Sequence, residues 1–432
     1  MMIFTTIGAH GMDTRFRSAL GLAVLLLLAL GTALRPATAA PRAGDRVPGQ
    51  YIVVFKDSVS DVPGKADALA AQHGLSVQRI YTHALKGFAA RIPEARLAKL
   101  QADPDVAFID QDQVISIDAQ EIPTGIRRIE ATLSPTARID GTDERVNVDV
   151  AIIDTGIAPH ADLNIYRSVN CSGGSPLRGS CKSSSPADGN GHGTHVAGTV
   201  AALDNGSGVV GVAPGARLWA VKVLNDQGSG YRSWIIAGID YVTANAGAIE
   251  VANMSLGGSG TDDGKSCAQT TDAYKKALCN SIAAGVTYAV AAGNESDDAR
   301  NHVPAAYVID GLITVSALAD FNGLAGGGAA PTCRSDEDDT FANFSNYGPR
   351  VDIIAPGVCI LSTWNDGGYN TISGTSMATP HVAGAAALYK AKNPGATPKQ
   401  VRDALVNAGT SDWNNVDDRD SIKEPLLNVK NF

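Results

Sequence analysis

The sequence predicts an α/β fold in which a mainly parallel sheet carries helices on both faces, preceded by a small α+β unit. Over residues 119–432, short apolar runs alternate with segments of helical periodicity, which is typical of a parallel sheet with crossover helices. Over residues 50–117 the order is instead β-α-β-β-α-β, the split βαβ arrangement of ferredoxin-like domains. With 432 residues and 44% apolar side chains, the chain is long enough to bury two cores.

The small unit is predicted from four short strand patterns and two helical patterns. By itself, this arrangement indicates only a small binding module. The predicted strands are Tyr51–Phe55, Val77–Tyr81, Gly87–Ile92 and Val106–Ile109, and the predicted helices are Lys65–Gln72 and Glu94–Gln101.

The large unit is predicted from the alternation of β-rich and helical segments. The predicted strands are Val146–Ile153, Arg217–Val223, Val251–Leu256, Val286–Ala291 and Ile313–Ala317. The predicted helices are His192–Leu203, Trp234–Asn245, Asp272–Ala284, Met377–Lys390 and Pro398–Ala408.

Basic residues followed by an apolar run mark the amino terminus. Arg15 and Arg17 precede the uncharged segment Ala19–Leu34, and Ala37-Thr-Ala39 supplies small residues for cleavage. A membrane anchor is the alternative, but the run is shorter than the roughly 20 residues that span a bilayer and contains Gly31. We therefore expect residues 1–39 to be a signal peptide and the protein to be secreted and extracellular, without a stable membrane anchor.

Charge and cysteine content limit the partners and the compartment. The formal net charge of −9 argues against nucleic acid as a partner, because phosphate binding favours a basic face. Cysteines behind a signal peptide fit an oxidising compartment. The six cysteines allow fifteen pairings, of which the simplest joins sequence neighbours: Cys171 with Cys181, Cys267 with Cys279, and Cys333 with Cys359.

Residues 371–384, Thr-Ile-Ser-Gly-Thr-Ser-Met-Ala-Thr-Pro-His-Val-Ala-Gly, combine a glycine turn with the start of an Ala-rich helix. Gly374 bends the chain and delivers Ser376 to the positive end of the predicted helix. A serine hydroxyl is a weak nucleophile. Attack by Ser376 therefore requires a base that takes its proton and amide donors that hold the oxyanion.

Two further motifs supply the base and its partner. Asn190-Gly-His-Gly-Thr-His opens a predicted helix with His192 near its start, and Val148-Asp-Val-Ala-Ile-Ile-Asp-Thr-Gly ends an apolar strand with Asp154. The carboxyl ends of strands in an open α/β sheet are where ligands and catalytic groups collect. The order Asp154, His192, Ser376, together with Asn343-Phe-Ser-Asn-Tyr-Gly, resembles the subtilisin-like serine protease family over residues 119–432.

This resemblance implies a serine endopeptidase that hydrolyses peptide bonds through an acyl-enzyme. Ser376 would be the nucleophile, His192 the general base and acid, and Asp154 the residue that orients the imidazole. Ala291-Ala-Gly-Asn294 resembles the oxyanion loop of the family, which assigns the second oxyanion donor to the Asn294 side chain. The alternatives are a catalytically silent binding protein with the same fold, and a protein whose main function is that of a propeptide-like inhibitor.

The small unit, placed before such a domain, resembles the inhibitory propeptide of the family through Tyr51-Ile-Val-Val-Phe-Lys and Gly87-Phe-Ala-Ala-Arg-Ile. Residues 40–118 are thus predicted to be an intramolecular inhibitor and folding template, and residues 119–432 a peptidase domain that we expect to be monomeric. Ala119-Gln-Glu-Ile-Pro resembles the mature start of subtilisin, which predicts self-cleavage after Asp118.

The resemblance also predicts a substrate groove. A polypeptide substrate would lie as an extended strand between two backbone segments, Gly228-Ser229-Gly230 and Ser255-Leu256-Gly257. As plain sequence, both segments are loops. Arg232 stands where subtilisin has an aromatic residue that lines a distal subsite, so we expect greater tolerance of acidic side chains at that subsite.

Calcium is the cofactor that the resemblance implies. Leu203-Asp-Asn-Gly-Ser-Gly-Val209 is a polar glycine loop that can turn oxygens towards one point, and oxygen ligation suits a hard cation. A bare turn is the alternative, and Asp352 is a candidate for a second, weaker cation site. By resemblance to the strong calcium loop of subtilisin, the ligands would be the side chains of Gln120, Asp162 and Asn205 and the carbonyls of Leu203, Ser207 and Val209.

Other polar residues are expected to be structural. His195 lies three residues after His192, but Gly193 and Thr194 replace the glutamate of a zinc protease motif, so packing is expected. Packing is likewise expected for His381. Residues 326–340 include Ser-Asp-Glu-Asp-Asp and are predicted to be a solvated acidic loop, with a cation site as the alternative.

Overall fold

The computed structural model describes residues 46–113, 120–173, 181–185, 187–420 and 422–432. They belong to two compact units, one ending at Ser116 and the other beginning at Ile117. The expected signal peptide and the expected cut after Asp118 lie outside the described residues, so both stay predictions. Within the described ranges, no helix is both long and apolar enough to cross a membrane.

The small unit has the expected β-α-β-β-α-β order. Its elements are β1 (Arg46–Phe55), α1 (Val62–His73), β2 (Ser76–Tyr81), β3 (Gly87–Arg91), α2 (Glu94–Gln101) and β4 (Val106–Gln113). The strands pair antiparallel in the order β2-β3-β1-β4. Helix α1 begins where Asp61 accepts a hydrogen bond from the Gly64 amide at 3.0 Å, and Leu69 of this helix packs against Val53 and Phe88 of the sheet.

The large unit alternates strands and helices as predicted. Its strands are β5 (Asp149–Asp154), β6 (Ile165–Asn170), β7 (Lys182–Ser183), β8 (Arg217–Lys222), β9 (Val251–Met254), β10 (Gly258–Ser259), β11 (Thr287–Ala291), β12 (His302–Val303), β13 (Leu312–Ala319), β14 (Thr340–Phe341), β15 (Ile353–Pro356), β16 (Ile360–Thr363) and β17 (Tyr369–Ile372). Its helices are α3 (Thr124–Arg128), α4 (His192–Ala201), α5 (Arg232–Ala244), α6 (Ala273–Ala283), α7 (Thr375–Lys392) and α8 (Pro398–Ala408).

The main sheet of the large unit is mostly parallel, which confirms the predicted fold class. Its order is β14-β13-β11-β9-β5-β8-β6-β7, with β15 also paired to β13. Among the described strands of this sheet, only the short strands β7 and β14 pair antiparallel. Strand β5 is buried along its whole length, because it lies inside the sheet with helices on both faces. Asp154, its last residue, therefore lies at the carboxyl edge of the sheet.

Neighbouring residues of β5 point to opposite faces of the sheet and enter separate cores. Ile152 shares one core with Val200 of α4 and Val382 of α7. Ile153 shares the other core with Ile239 of α5. Both helix layers are thus anchored on the strand that ends in Asp154.

The structure contains the three disulfides that were expected from sequence neighbours. They join Cys171 to Cys181, Cys267 to Cys279, and Cys333 to Cys359. Each bridge closes a short segment of the large unit, which restrains the unfolded chain more than the folded one.

The expectation of a solvated acidic loop at residues 326–340 holds for most of residues 326–335, which are exposed, but is wrong for three of the four acidic side chains. Asp338 and Asp339 are buried, at 3% and 1% exposure. Asp339 accepts hydrogen bonds from the buried Arg128 at 2.8 Å and from the Gly326 amide at 2.6 Å. These donors, with the backbone amides that bind Asp338, neutralise the segment from within the protein. Across the described ranges, no group of three or more His, Cys, Asp or Glu side chains is arranged to hold a metal ion.

Candidate active site

Asp154 ends β5 with a side chain that is 0% exposed. Its Oδ1 accepts hydrogen bonds from Nδ1 of His192 and from the Thr155 amide, both at 2.7 Å. A carboxylate only accepts hydrogen bonds, so the proton of the neutral imidazole lies on Nδ1. Nε2 of His192 is therefore the nitrogen that can take a proton.

His192 is the first residue of α4, and the loop before it fixes its position. Gly191 has a φ of 103°, and a Cβ at this residue would lie 2.5 Å from the ring of Trp364, so only glycine fits. Buried Asp188 accepts hydrogen bonds from the amides of Gly191 at 2.9 Å and Thr194 at 3.0 Å, which closes the loop onto the helix. Sequence reasoning missed Asp188. An aspartate just before Gly-Asn-Gly at a predicted helix start is the signal that could have found it.

The surroundings of His192 raise the pKa of its imidazole. Burial alone acts to lower that pKa, but the negative charge of Asp154 and the hydrogen bond to it outweigh this effect, and Asp188 adds to them. The side chain of His192 nevertheless stays 26% exposed. The imidazole is therefore a stronger base than a free histidine and remains accessible.

Ser376 lies in the first turn of α7. Its Oγ donates to the carbonyl of Ser255 at 3.3 Å, and the described residues show no hydrogen bond between Ser376 and His192. Pro380, four residues along the helix, has no N–H to donate to the Ser376 carbonyl. The hydroxyl of Ser255 supplies that donor at 2.7 Å. The proline thus leaves a carbonyl free to tie the start of α7 to residues 255–257.

Asn294 follows β11 and is exposed near the start of α7. Its Oδ1 accepts hydrogen bonds from the amide of Thr375 at 2.8 Å and from its hydroxyl at 3.0 Å. Nδ2 is the opposite end of the same carboxamide and is left available. A Cβ at Gly293 would lie 2.2 Å from Nδ2 of Asn346, whose side chain holds the loop through three backbone hydrogen bonds. Sequence reasoning missed this role, although Asn346 belongs to the Asn343-Phe-Ser-Asn segment.

Two adjoining cavities meet at Leu256 and Gly257. The larger, of about 370 Å³, is lined by His192 and by both predicted substrate segments, residues 228–230 and 255–257. The smaller, of about 120 Å³, is lined by residues that include Asn294 and Ser376. The predicted nucleophile, base and oxyanion donor therefore border two adjoining cavities, which we call the groove.

The residues proposed from sequence as calcium ligands come together around one loop. Nε2 of Gln120 lies 2.6 Å from the carbonyl oxygen of Leu203 and 3.2 Å from that of Val209. The amide of Val209 donates to Oδ2 of Asp162 at 3.1 Å. Two carbonyl oxygens thus converge on one side-chain amide beside a carboxylate.

Asn205 and Ser207 close the same loop. Nδ2 of Asn205 donates to Oδ1 of Asp162 at 3.1 Å, and the Ser207 amide donates to Oδ1 of Asn205 at 3.0 Å. The contacts of Asp352 differ from those expected for a second cation site. Its Oδ1 pairs with Arg402 and its Oδ2 accepts a backbone amide at 2.8 Å, so a guanidinium takes the place of the expected cation.

His195 and His381 pack inside the protein, as predicted. Nε2 of His195 donates to the carbonyls of Ile360 at 2.9 Å and Asn370 at 3.1 Å, and burial lowers the pKa of this imidazole to about 3. Nδ1 of His381 donates to the Met377 carbonyl at 2.9 Å, and burial lowers its pKa to about 4. Both rings are neutral donors in the core.

An Asp–His pair with a serine and an exposed carboxamide around one groove is the arrangement of a serine peptidase. The profile of the subtilase family matches residues 146–422, and that of peptidase inhibitor I9 matches residues 50–118. The chain therefore belongs to the subtilase family, and its small unit is an I9 propeptide domain.

Known relatives cover most of the chain. Subtilisin NAT of Bacillus subtilis subsp. natto is 38% identical over 366 residues, which are 84% of this chain and 85% of that protein. An extracellular serine proteinase of a Thermus species is 38% identical over 393 residues, which are 85% of this chain and 86% of that protein. The solved structure of a cold adapted subtilisin-like serine proteinase is 34% identical, with a TM-score of 0.52, and covers 69% of this chain and 97% of that chain. The protein is a subtilisin-type serine endopeptidase, and these comparisons give no support to a silent binding protein.

Proposed function

We propose that the protein cleaves polypeptides at this groove with Ser376 as nucleophile, His192 as base and Asp154 as orienting residue. The observation that carries the proposal is the 2.7 Å hydrogen bond from Nδ1 of His192 to Asp154, beside a cavity that His192 shares with both substrate segments. This bond fixes the ring orientation and the tautomer, so Nε2 is ready to accept a proton.

The first step is attack of Oγ of Ser376 on the substrate carbonyl carbon. The hydroxyl donates to Ser255 through a long bond of 3.3 Å, and rotation about χ1 redirects it towards Nε2 of His192. His192 takes the proton as the new C–O bond forms and gives it to the amine as the C–N bond breaks. Water then hydrolyses the acyl-enzyme with His192 again acting as base and acid. The raised pKa of His192 suits both roles.

We assign stabilisation of the oxyanion to Nδ2 of Asn294 and to the backbone amide of Ser376. The argument rests on the contact between Oδ1 of Asn294 and Thr375, which fixes the carboxamide with Nδ2 available. Loss of such a donor lowers kcat about 10²–10³-fold in subtilisin itself.

The backbone of the substrate would lie between residues 228–230 and 255–257 as an added strand. Arg232 begins α5, is exposed, and donates from Nη2 to the Ser259 carbonyl at 3.3 Å. A guanidinium there favours acidic side chains at the distal subsite. Peptide-library profiling tests this, and rejection of acidic residues at that subsite would refute it.

Loop 203–209 fits a structural calcium ion. The donors around it are oxygens of carbonyls, one carboxylate and two carboxamides, which suits a hard cation, and rotation of the Gln120 carboxamide presents its oxygen to the carbonyls that its nitrogen now meets. The residues that would hold the ion are Gln120, Asp162, Leu203, Asn205, Ser207 and Val209. When bound, the ion would supply stability to the folded state and no chemistry to cleavage. Excess chelator should lower the melting temperature of the parent and have less effect on Asp162→Asn.

We also propose that the protein is secreted and monomeric and that it removes its own propeptide by cleavage near Asp118. The I9 match over residues 50–118, the signal-like amino terminus and an extracellular relative support secretion and self-processing. The intact mass of the protein in culture medium is the test. We expect a chain that begins within a few residues of Ala119.

Covalent labelling with a fluorophosphonate tests the nucleophile. We expect label on Ser376 of the parent, and neither labelling nor self-processing in Ser376→Ala. Ser373→Ala is a matched control, because this hydroxyl lies three residues earlier and accepts the Cys359 amide at 2.8 Å. Label on another serine, or processing of Ser376→Ala at the parent rate, would contradict the assignment.

A further inference from the structure

A loop near the carboxyl end buries carboxylate oxygens that have no partner. Glu424 is 2% exposed, and neither of its carboxylate oxygens has a hydrogen-bond partner in the part of the chain that the structure describes. Asp418 is 8% exposed, and its Oδ2 has no partner among the described residues. Within the same part of the chain, Oδ2 of Asp420 and Oδ1 of Asn415, which are both half-buried residues, also lack a partner. Buried charges are normally paired or bound to a metal, so this group calls for a counterion.

The two cations of the same loop are engaged elsewhere. Nη1 of Arg419 donates to the carbonyl of Ser296 at 2.9 Å. Nζ of Lys423 lies 5.4 Å from the ring centroid of Trp413, in a cation–π contact. Neither side chain neutralises the buried carboxylates. This contrasts with residues 326–340, where Arg128 and backbone amides do so.

Asp418 and Asp420 are close in the loop, and each keeps one oxygen that has no hydrogen-bond partner among the described residues. Oδ1 of Asp418 accepts the Asp420 amide at 3.4 Å, and Oδ1 of Asp420 accepts the Ile422 amide at 2.8 Å, so one oxygen of each shapes the loop and the other remains. The Asp418 side chain also meets those of Asp420 and Asn415, and the charges acting on Glu424 are those of Asp418 and Asp420.

We propose that Asn415, Asp418, Asp420 and Glu424 form a calcium site that is separate from loop 203–209. Four side chains with only oxygen donors and three formal negative charges suit Ca²⁺ better than a softer transition metal. Among the described residues the three carboxylates do not surround a single point, so ion binding would require Glu424 to move towards the two aspartates. Because Arg419 of this loop holds Ser296, two residues after Asn294, the ion also steadies the loop beside the groove.

Trp413 makes this site separately observable. Its Nε1 donates to the carbonyl of Glu424 at 3.0 Å, so a Tb³⁺ ion at the proposed site lies close enough to be excited through the indole. The measurement uses Tb³⁺ alone with the full chain carrying Ser376→Ala, which prevents self-digestion. We expect tryptophan-sensitised terbium emission that Ca²⁺ competes away and that Trp413→Phe largely removes.

Three amide variants decide the assignment. Glu424→Gln and Asp420→Asn should each weaken Tb³⁺ binding about tenfold or more. Asp417→Asn removes an exposed carboxylate from the same loop and should change binding less than about twofold. Asp420 is only half-buried, so Asp420→Asn keeps the test valid if Glu424→Gln does not fold.

Equal Tb³⁺ affinity in all three variants would overturn the proposal. A Glu424→Gln protein that melts above the parent in excess calcium would also overturn it. A neutral amide stabilises the protein in place of Glu424 only if the carboxyl is protonated and binds no ion. Unchanged emission at this site in Asp162→Asn would show that it is independent of loop 203–209.

Discussion

His192 and His195 lie three residues apart on α4, and their surroundings give them opposite properties. His192 is 26% exposed and faces Asp154, which raises the pKa of its imidazole. His195 is fully buried and donates to neutral carbonyls, so burial lowers its pKa to about 3. Although both histidines lie on one helix, the contact with a carboxylate makes His192 a stronger base, whereas burial in the apolar core keeps His195 neutral.

The two histidines also link stability to pH with opposite signs. The folded pKa of His192 lies above the unfolded value near 6.5, so its contribution is complete below that pH and is lost as pH rises through the folded pKa. The folded pKa of His195 lies below the unfolded value. Its contribution is therefore present above about pH 6.5 and is lost as pH falls towards 3.

The largest expected difference between the two residues is in turnover. Replacing His192 by Ala should lower kcat about 10⁶-fold, as loss of this residue does in subtilisin itself, with little change in melting temperature. Folded His195→Gln should keep kcat within about tenfold of the parent, because this ring lies outside the groove. Steady-state hydrolysis of a peptide substrate measures both. Similar losses in the two variants would show that the assignment of His192 as the base is incorrect.

The free energy of unfolding should fall more when His195 is replaced than when His192 is replaced. Replacing His195 by Leu should lower the free energy of unfolding by about 2–4 kcal/mol, because the carbonyls of Ile360 and Asn370 lose their donor. His195→Gln keeps a donor and should lose less. Urea unfolding with Ser376→Ala in every variant measures the difference. A His195→Leu protein as stable as the parent would contradict the buried hydrogen-bonded role.

The pH dependence of the free energy of unfolding should reflect the lowered pKa values of the two buried histidines. Between about pH 6.5 and 4, His195 and His381 bind more protons unfolded than folded, so each lowers stability by roughly 1.4 kcal/mol per unit of falling pH. Removing His195 should reduce the slope by that amount. Urea midpoints across this range test it, and an unchanged slope in His195→Gln would count against the lowered pKa.

The smallest expected effect is on the pH profile of kcat/KM. The rising limb should have its midpoint above 6.5, because the base must be neutral and its pKa is raised. Asp188→Asn should move the midpoint downwards by removing one of the charges that act on His192. Rates across pH with Glu121→Gln as a control for a distant carboxylate would measure the shift. An upward shift of the midpoint in Asp188→Asn would contradict the proposed effect of the Asp188 charge on His192.

Much of this molecule is predictable from local patterns. Helix α8 has the bounds Pro398–Ala408 that its apolar spacing and Thr397 cap indicate. The sequence also indicates where the predicted groove residues lie, because Asp154 ends a strand of the sheet and glycines precede His192 and Ser376 in their turns.

The errors come from contacts between distant parts of the chain. Asp339 was assigned to solvent because its neighbours are acidic, but its partner Arg128 lies 211 residues away. Asp352 was considered for a cation, yet Arg402 of a later helix reaches it. Charge composition of a segment carries no information on such partners, so exposure of an acidic run is the least secure inference from sequence.

The three disulfides bear on the choice of host for producing this enzyme. They close segments with sequence separations of 10, 12 and 26 residues, and loop entropy assigns roughly 3 kcal/mol to each bridge. Their sum is similar to the whole margin of about 5–15 kcal/mol that keeps a domain folded. A reducing bacterial cytosol should therefore yield inclusion bodies, while export to the periplasm or medium should yield soluble enzyme.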